Sequence, residues 1–196
     1  MEFQDVLRKR RMVRNYTDEP VDTEVIERIV AAGQRAPSAG NSQGVVYVVV
    51  TEEATRKAIG EIAGEENYVA GGFDRFISGA PVQVIICTSE NVYHERYNEP
   101  DKKPEGEDEI NWPIPYWHTD AGASMMAILL AATDEGLGSA FIGVAEPKQL
   151  QDLLGIPDDY LPIGLAMIGH AAPDKKSGSL KRGRRSLETV LHRERW

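Results

Sequence analysis

The chain has 196 residues, a single cysteine and a formal net charge of -9, with 41% hydrophobic and 27% charged residues, an ordinary composition for one domain with a sizeable core. The lone Cys87 excludes an internal disulfide or a thiolate cluster and suits a reducing compartment, and the acidic balance argues against nucleic acid as a partner. No apolar run is long enough to cross a bilayer and the opening Met-Glu-Phe-Gln-Asp lacks the apolar stretch of a signal peptide, so a cytoplasmic protein without a membrane partner is expected.

Phe3, Val6, Leu7 and Arg10 fall at helical spacing, which puts the basic run of Arg8, Lys9, Arg10, Arg11 and Arg14 at the end of a short helix and in the turn after it. A second helix is predicted from an Asp22 N-cap, with Val25, Ile26, Ile29 and Val30 on its buried face, ending around Gly33 before Pro37. Val45 to Val50 is an unbroken β-branched and aromatic run, read as a central strand covered on both faces. Thr51-Glu52-Glu53 reads as a cap and first-turn acids opening a helix that ends near Gly64, and Val82 to Cys87 as a second buried strand.

Over residues 89–115 the apolar period stops and carboxylates mix with prolines, so a long exposed acidic insertion or lid is expected there. Ala121 to Ala132 is apolar nearly all round and rich in small residues in its first half, the pattern of a buried helix that another helix can approach closely. A third strand is predicted over Ser139 to Val144, a helix over Pro147 to Leu154 closed by Gly155, and a fourth strand over Ile163 to Ile168. Residues 1–196 are thus expected to form one domain, with helices and buried strands mixed around one sheet.

Basic residues crowd both ends of an acidic chain, Arg10, Arg11 and Arg14 at one and Lys181, Arg182, Arg184 and Arg185 at the other. This suggests that the ends fold together around one phosphate, because the planar fork of Arg matches two phosphate oxygens at once. Taken alone, a charge run is more often a solvated helix face. No phosphate-loop motif is present, Gly136-Leu137-Gly138 is not continued as a dinucleotide fingerprint, and the histidines fall at no metal-ligand spacing. Cys87, within an apolar strand, reads as packing.

The segments Arg10-Arg11-Met12-Val13-Arg14, Ala36-Pro37-Ser38-Ala39-Gly40-Asn41-Ser42-Gln43 and Lys181 to Arg185, taken in this order, resemble the nitroreductase family of FMN-dependent flavoproteins. In that family an early arginine motif, a P-S-x-x-N-x-Q motif and a C-terminal basic motif bind FMN. A G-L-G-x-x-x-I-G segment at Gly136 to Gly143 and an R-x-L-E motif at Arg185 to Glu188 extend the resemblance nearly end to end.

The resemblance implies an α+β fold, a three-layer α/β/α arrangement with a central mixed sheet, as a domain-swapped homodimer. Both subunits would build each FMN site and the C-terminal segment would embrace the partner chain. FMN contacts are implied for Arg10, Arg11, Met12 and Arg14, for Pro37, Ser38, Ala39, Asn41 and Gln43, and for Arg182 and Arg184. The backbone of Ile142 and Gly143 is implied to lie against the redox centre of the flavin. Met12 stands where the family usually has serine, so the hydroxyl contact expected there is missing.

The implied activity is ping-pong: NADH or NADPH delivers hydride to FMN, and a small planar acceptor such as a nitroaromatic or quinone then takes its place. No catalytic acid, base or nucleophile is expected, because the cofactor carries the chemistry. Dehalogenation, enone reduction and flavin cleavage on the same scaffold are the alternatives, together with a non-catalytic flavin-binding or sensing role. Tyr116 and Trp117 are candidate substrate contacts, with structural packing an equal expectation, while the acidic part of the insertion is expected to stay in solvent.

Overall fold

In the computed structural model, which describes all of residues 1–196, four strands form one sheet in the order β1-β2-β4-β3: β1 is Val45–Val50, β2 Val82–Thr88, β3 Gly138–Gly143 and β4 Leu161–Gly169. The helices are α1 Phe3–Lys9, α2 Thr23–Gln34, α3 Glu53–Ile62, α4 Glu65–Ala70, α5 Glu90–Tyr97, α6 Tyr116–Asp134 and α7 Pro147–Leu154. Side chains alternate across a strand, so β2 and β4 feed two separate cores. Val82, Val84, Ile86, Ala166 and Ile168 pack against Ile26 and Ile29 of α2 and Ile128 and Leu129 of α6. On the other face Ile85, Cys87, Leu165 and Met167 pack against Ile59 of α3, Leu150 of α7 and the Phe76–Ile77 turn. The expected α+β, three-layer arrangement follows, each fully buried aliphatic side chain contributing about 1.5–3 kcal/mol.

Local chemistry explains most element ends. Glu52, rather than Thr51, caps α3, its carboxylate accepting from the amides of Ala54 at 2.9 Å and Thr55 at 2.6 Å. Asp22 occupies the N-cap of α2 without a side-chain bond, and Gly155 closes α7 in the left-handed conformation. Gly33 lets α2 and α6 meet closely, because a Cβ there would lie 2.7 Å from Ile128 Cγ1.

Four expectations need correction. The run Val45 to Val50 is an edge strand, with Val46 and Val49 exposed, and the strand buried on both faces is β2. The sheet is not mixed: every strand pair is antiparallel, and the parallel pairing is confined to an isolated bridge between Met12 and Ser139. Residues 89–115, expected as one long exposed insertion or lid, are not exposed throughout, since they begin with buried Ser89 and α5; that helix escapes the pattern because it buries essentially one side chain, Tyr93. Finally, α6 starts earlier than expected, at Tyr116; within the single chain Ala123 and Met126 are exposed on it. No helix is long and apolar enough to cross a membrane.

Candidate functional site

The chain leaves α1 at Arg10 and runs extended beside β3, the Val13 amide donating to Ser139 O at 2.9 Å. Residues 170–174 lie along its other side: Thr17 N donates to His170 O at 2.9 Å, and Ala172 N to Asn15 O at 3.1 Å. Buried Tyr16 anchors the crossing, its hydroxyl lying 3.0 Å from Val13 O and 3.2 Å from Met167 O, and burial pushes its pKa upward. Asp174 closes the join. Arg11 Nη1 donates to both of its oxygens at 2.8 Å, and the Arg14 amide to one of them at 2.9 Å. Burial acts to raise the Asp174 pKa, but the bonds from Arg11 and the Arg14 amide outweigh it and hold the carboxyl below its ordinary range.

Of the arginines expected at a phosphate, Arg11 is therefore placed on a carboxylate. Arg14 lies with its guanidinium 5.3 Å from the centroid of the Phe73 ring, and neither it nor Arg10 has a side-chain ion pair. Lys175 approaches the same ring at 5.3 Å and donates to Gly71 O at 2.7 Å. Met12 packs against the core while its backbone bridges to Ser139, so this position presents no hydroxyl.

The Pro37 to Gln43 loop precedes β1 and is preshaped by its own bonds. Ser38 Oγ accepts from Gln43 N at 3.0 Å, and Ser42 Oγ donates to Ala39 O at 2.6 Å. Gly40, Asn41 and Gln43 all take positive φ (61°, 56° and 56°), a conformation that is uncommon outside glycine and marks a constrained backbone. The side chains of Asn41 and Gln43 are exposed and hold no partner within the chain. Beneath the loop, Asp120 Oδ2 accepts from both the Ala39 amide and the Tyr93 hydroxyl at 2.8 Å. A cleft of about 220 Å³ opens here between Pro37, Ser38, Gln43, Tyr47, Asp120 and Ser124.

The remaining candidates lie elsewhere. Ile142 is half-buried against the core, whereas Gly143 ends β3 at an open position where an added Cβ would meet nothing within 4 Å. Arg182 and Arg184 are exposed in a C-terminal segment with no side-chain partner, while Arg185 donates to Thr189 O at 2.8 Å. The hydrogen bonds that join residues 11–17 to the chain after β4 run from His170 to Asp174, and none reaches the segment of Arg182 and Arg184. The arginine segment lies beside β3 and the Ser38 to Gln43 loop leads into β1, at opposite edges of the sheet. Three strand spacings, roughly 14 Å, separate these edges within one chain.

The aromatic segment is mostly packed inward. Trp117 is buried at 8% exposure and Tyr116 is 40% exposed, and Trp112 meets Tyr93, Tyr97, Tyr116 and Trp117 edge-on. Not all of the acidic stretch stays in solvent. Glu109 accepts from Trp112 Nε1 at 2.7 Å and lies 2.5 Å from His94 Nδ1, and Glu90 lies 3.3 Å from His94 Nε2. Glu105, Glu107 and Asp108 remain exposed and unpaired. Asp120, Asp174, Arg96 and His94 were missed in the sequence; the signal for Asp120 was a carboxylate inside an apolar helix, which must find donors.

The His94–Glu109 contact is expected to make the packing around Trp112 depend on pH. Its pKa is raised, chiefly by the bond to Glu109, so its contribution is complete below its ordinary value near 6.5 and is lost as pH rises through the raised value. Glu109 is lowered, chiefly by the bond from Trp112, so its contribution holds above about 4.5 and is lost as pH falls through the lowered value. Tryptophan fluorescence is expected to be constant between these limits and to change as pH rises past the His94 transition. In His94→Gln the alkaline change should vanish; its persistence would exclude His94 as the cause.

The groups present suit FMN. Unpaired guanidinium groups match a phosphate, the constrained Ser38 to Gln43 loop offers donors and acceptors, and the open end of β3 leaves room for a flat ring beside the backbone. Residues 7–170 match the model of the Nitroreductase family. The chain is 32% identical over 191 residues to an FMN reductase [NAD(P)H] of Bacillus subtilis, covering 96% of this chain and 72% of that protein. It is 26% identical over 167 residues to an NADPH-flavin oxidoreductase of Vibrio harveyi, covering 84% and 63%. Its fold is similar to that of B. megaterium NfrA2, with a TM-score of 0.78 and 28% identity over 100% of this chain and 75% of that one. A match that runs from the first helix through the last strand, together with these relatives, establishes that the chain belongs to the nitroreductase family.

Proposed function

We propose that this chain, an NAD(P)H-dependent FMN oxidoreductase by family, reduces small planar acceptors such as nitroaromatics or quinones in ping-pong order, as a homodimer. The observation that carries this reading is electrostatic. Arg10, Arg14, Arg182 and Arg184 hold no carboxylate although acids outnumber Lys and Arg by 31 to 22; Arg35, Arg193 and Arg195 are unpaired as well, and what sets the four apart is their place in the two basic clusters at the chain ends. Cations left free in such a chain fit a phosphate dianion.

FMN, when bound, supplies hydride acceptance from NADH or NADPH and donation to the acceptor. Arg10, Arg182 and Arg184 hold the phosphate, Arg14, Ser38 and Asn41 the polar ring edge, and the Ile142–Gly143 backbone the ring centre. Tyr116 is the substrate contact that its exposure favours over buried Trp117. The free acids Glu105, Glu107 and Asp108 disfavour anionic acceptors, an effect that salt weakens. Anaerobic NADH or NADPH should bleach the flavin absorbance, and a quinone or nitroaromatic should restore it. A yellow protein that neither reductant bleaches would instead be a flavin-binding or sensing protein.

Dimerisation follows from the opposite placement of the two motif halves, which a second subunit can bring together. It also covers apolar surface: Val46, Val49, Met126, Leu180, Leu187 and Val190 are exposed, and a groove of about 650 Å³ runs between α2 and β1. Light scattering at micromolar concentration is expected to give twice the 21.7 kDa chain mass, with an interface above ~2,000 Å². A monomeric mass with flavin bound would overturn it.

A further inference from the structure

Arg96 belongs to none of the flavin-binding motifs, yet it reaches the middle of one. Its Nε donates to Gly40 O at 2.9 Å. Its two Nη atoms grip Asp101 as a fork, Nη1 to Oδ1 and Nη2 to Oδ2 at 2.7 Å each, and Nη1 also meets Glu99 at 3.0 Å. The side chain is only 21% exposed, so these bonds are partly shielded from water. One guanidinium thus ties the acidic turn at 99–101 to the Pro37 to Gln43 loop, a planar geometry that Lys cannot reproduce.

The same helix supports that loop at two further points. Tyr97 lies under Gly40, where a Cβ would come within 2.6 Å of the ring, and the Tyr93 hydroxyl shares Asp120 with the Ala39 amide. Gly40 has φ of 61° and is followed by Asn41 at 56°, so this backbone holds an uncommon conformation that its surroundings must maintain. Tyr97 and Tyr93 also meet this segment through the ring of Trp112, and Tyr97 through the Lys102 ammonium, but of these supports Arg96 alone bonds its carboxylates.

We propose that Arg96 is a positioning residue for the cofactor: it transmits the placement of the Glu99–Asp101 turn to Gly40 and thereby sets the geometry with which Ser38 and Asn41 meet FMN. The inference rests on the reading of that loop as part of the FMN site. It gives the acidic segment a role that does not require touching substrate.

The test is FMN titration of the apoprotein by quenching of flavin fluorescence, with the visible circular dichroism of the bound flavin and the thermal midpoint of the apoprotein as parallel readouts. Arg96→Ala is expected to weaken FMN about ten-fold and to alter the flavin dichroism. Arg96→Lys should recover little, because it cannot hold Gly40 and both Asp101 oxygens together. Asp101→Asn, which leaves Arg96 in place, should give a smaller change in the same direction, and it serves if Arg96→Ala fails to fold. Asn111→Ala, on the same segment but exposed, uncharged and without a bond, should match the parent protein.

Parent-like affinity and dichroism in Arg96→Ala and Asp101→Asn would overturn the proposal while leaving the FMN site intact. A lowered thermal midpoint with unchanged dichroism and affinity would reduce Arg96 to a structural role and overturn it too. Failure of the parent protein to bind FMN would overturn both the site and the proposal.

Discussion

Asp120→Ala is expected to destabilise the fold by about 2–5 kcal/mol, because one oxygen, Oδ2, takes two hydrogen bonds from different elements. Its loss strands the fully buried hydroxyl of Tyr93 and the half-buried amide of Ala39, and an unsatisfied buried group costs about 1–3 kcal/mol. Asp120→Asn keeps a carbonyl that can accept at the same place and should recover most of the loss. Urea unfolding should show the difference as a shift of midpoint at constant slope. The alanine variant should also bind FMN less tightly, since the loop it frees carries Ser38 and Asn41. A change below ~0.5 kcal/mol, the scale of an ordinary surface substitution, would mean that water replaces the carboxylate without cost.

Arg184→Ala is expected to weaken FMN binding by about 1.5–3 kcal/mol, roughly ten- to a hundred-fold in Kd, the scale of a hydrogen bond to a charged group. The unfolding midpoint of the apoprotein should not move, because Arg184 is exposed and holds no partner within the chain. Arg184→Lys keeps the charge but loses the planar fork, so an intermediate affinity is expected. Asp120→Ala and Arg184→Ala differ in kind: one acts through the fold and the other only through the bound phosphate. Unchanged affinity in Arg184→Ala would remove this residue from the site.

Much of the layered fold was legible along the chain, because burial in a strand or helix leaves a local periodic trace. Val82 to Cys87, the helix with Ile26 and Ile29, and the 147–154 helix closed by Gly155 all appear within a residue or two of their expected ends. The motif residues were legible as well, since guanidinium clusters and a P-S-x-x-N-x-Q segment are local facts. Sheet position was not. An unbroken β-branched run records only that a strand's faces are apolar, and in β1 that surface is left partly exposed at a sheet edge.

The partners of charged groups were equally hidden, because a carboxylate reads the same whether it is solvated or buried. Arg11 was expected at the phosphate with its neighbours, and only the crossing of residues 170–174 over the first strand-like segment put Asp174 within reach of it. Glu109 and Asp101 looked like solvent acids until α5, with almost no apolar period, placed His94 and Arg96 beside them. The sequence by itself determined the family, the periodic elements and the cations that could meet an anion. Tertiary structure decided which of those cations stay free and which edges carry the two motif halves, because long-range pairing depends on where the chain crosses itself and leaves no period to read.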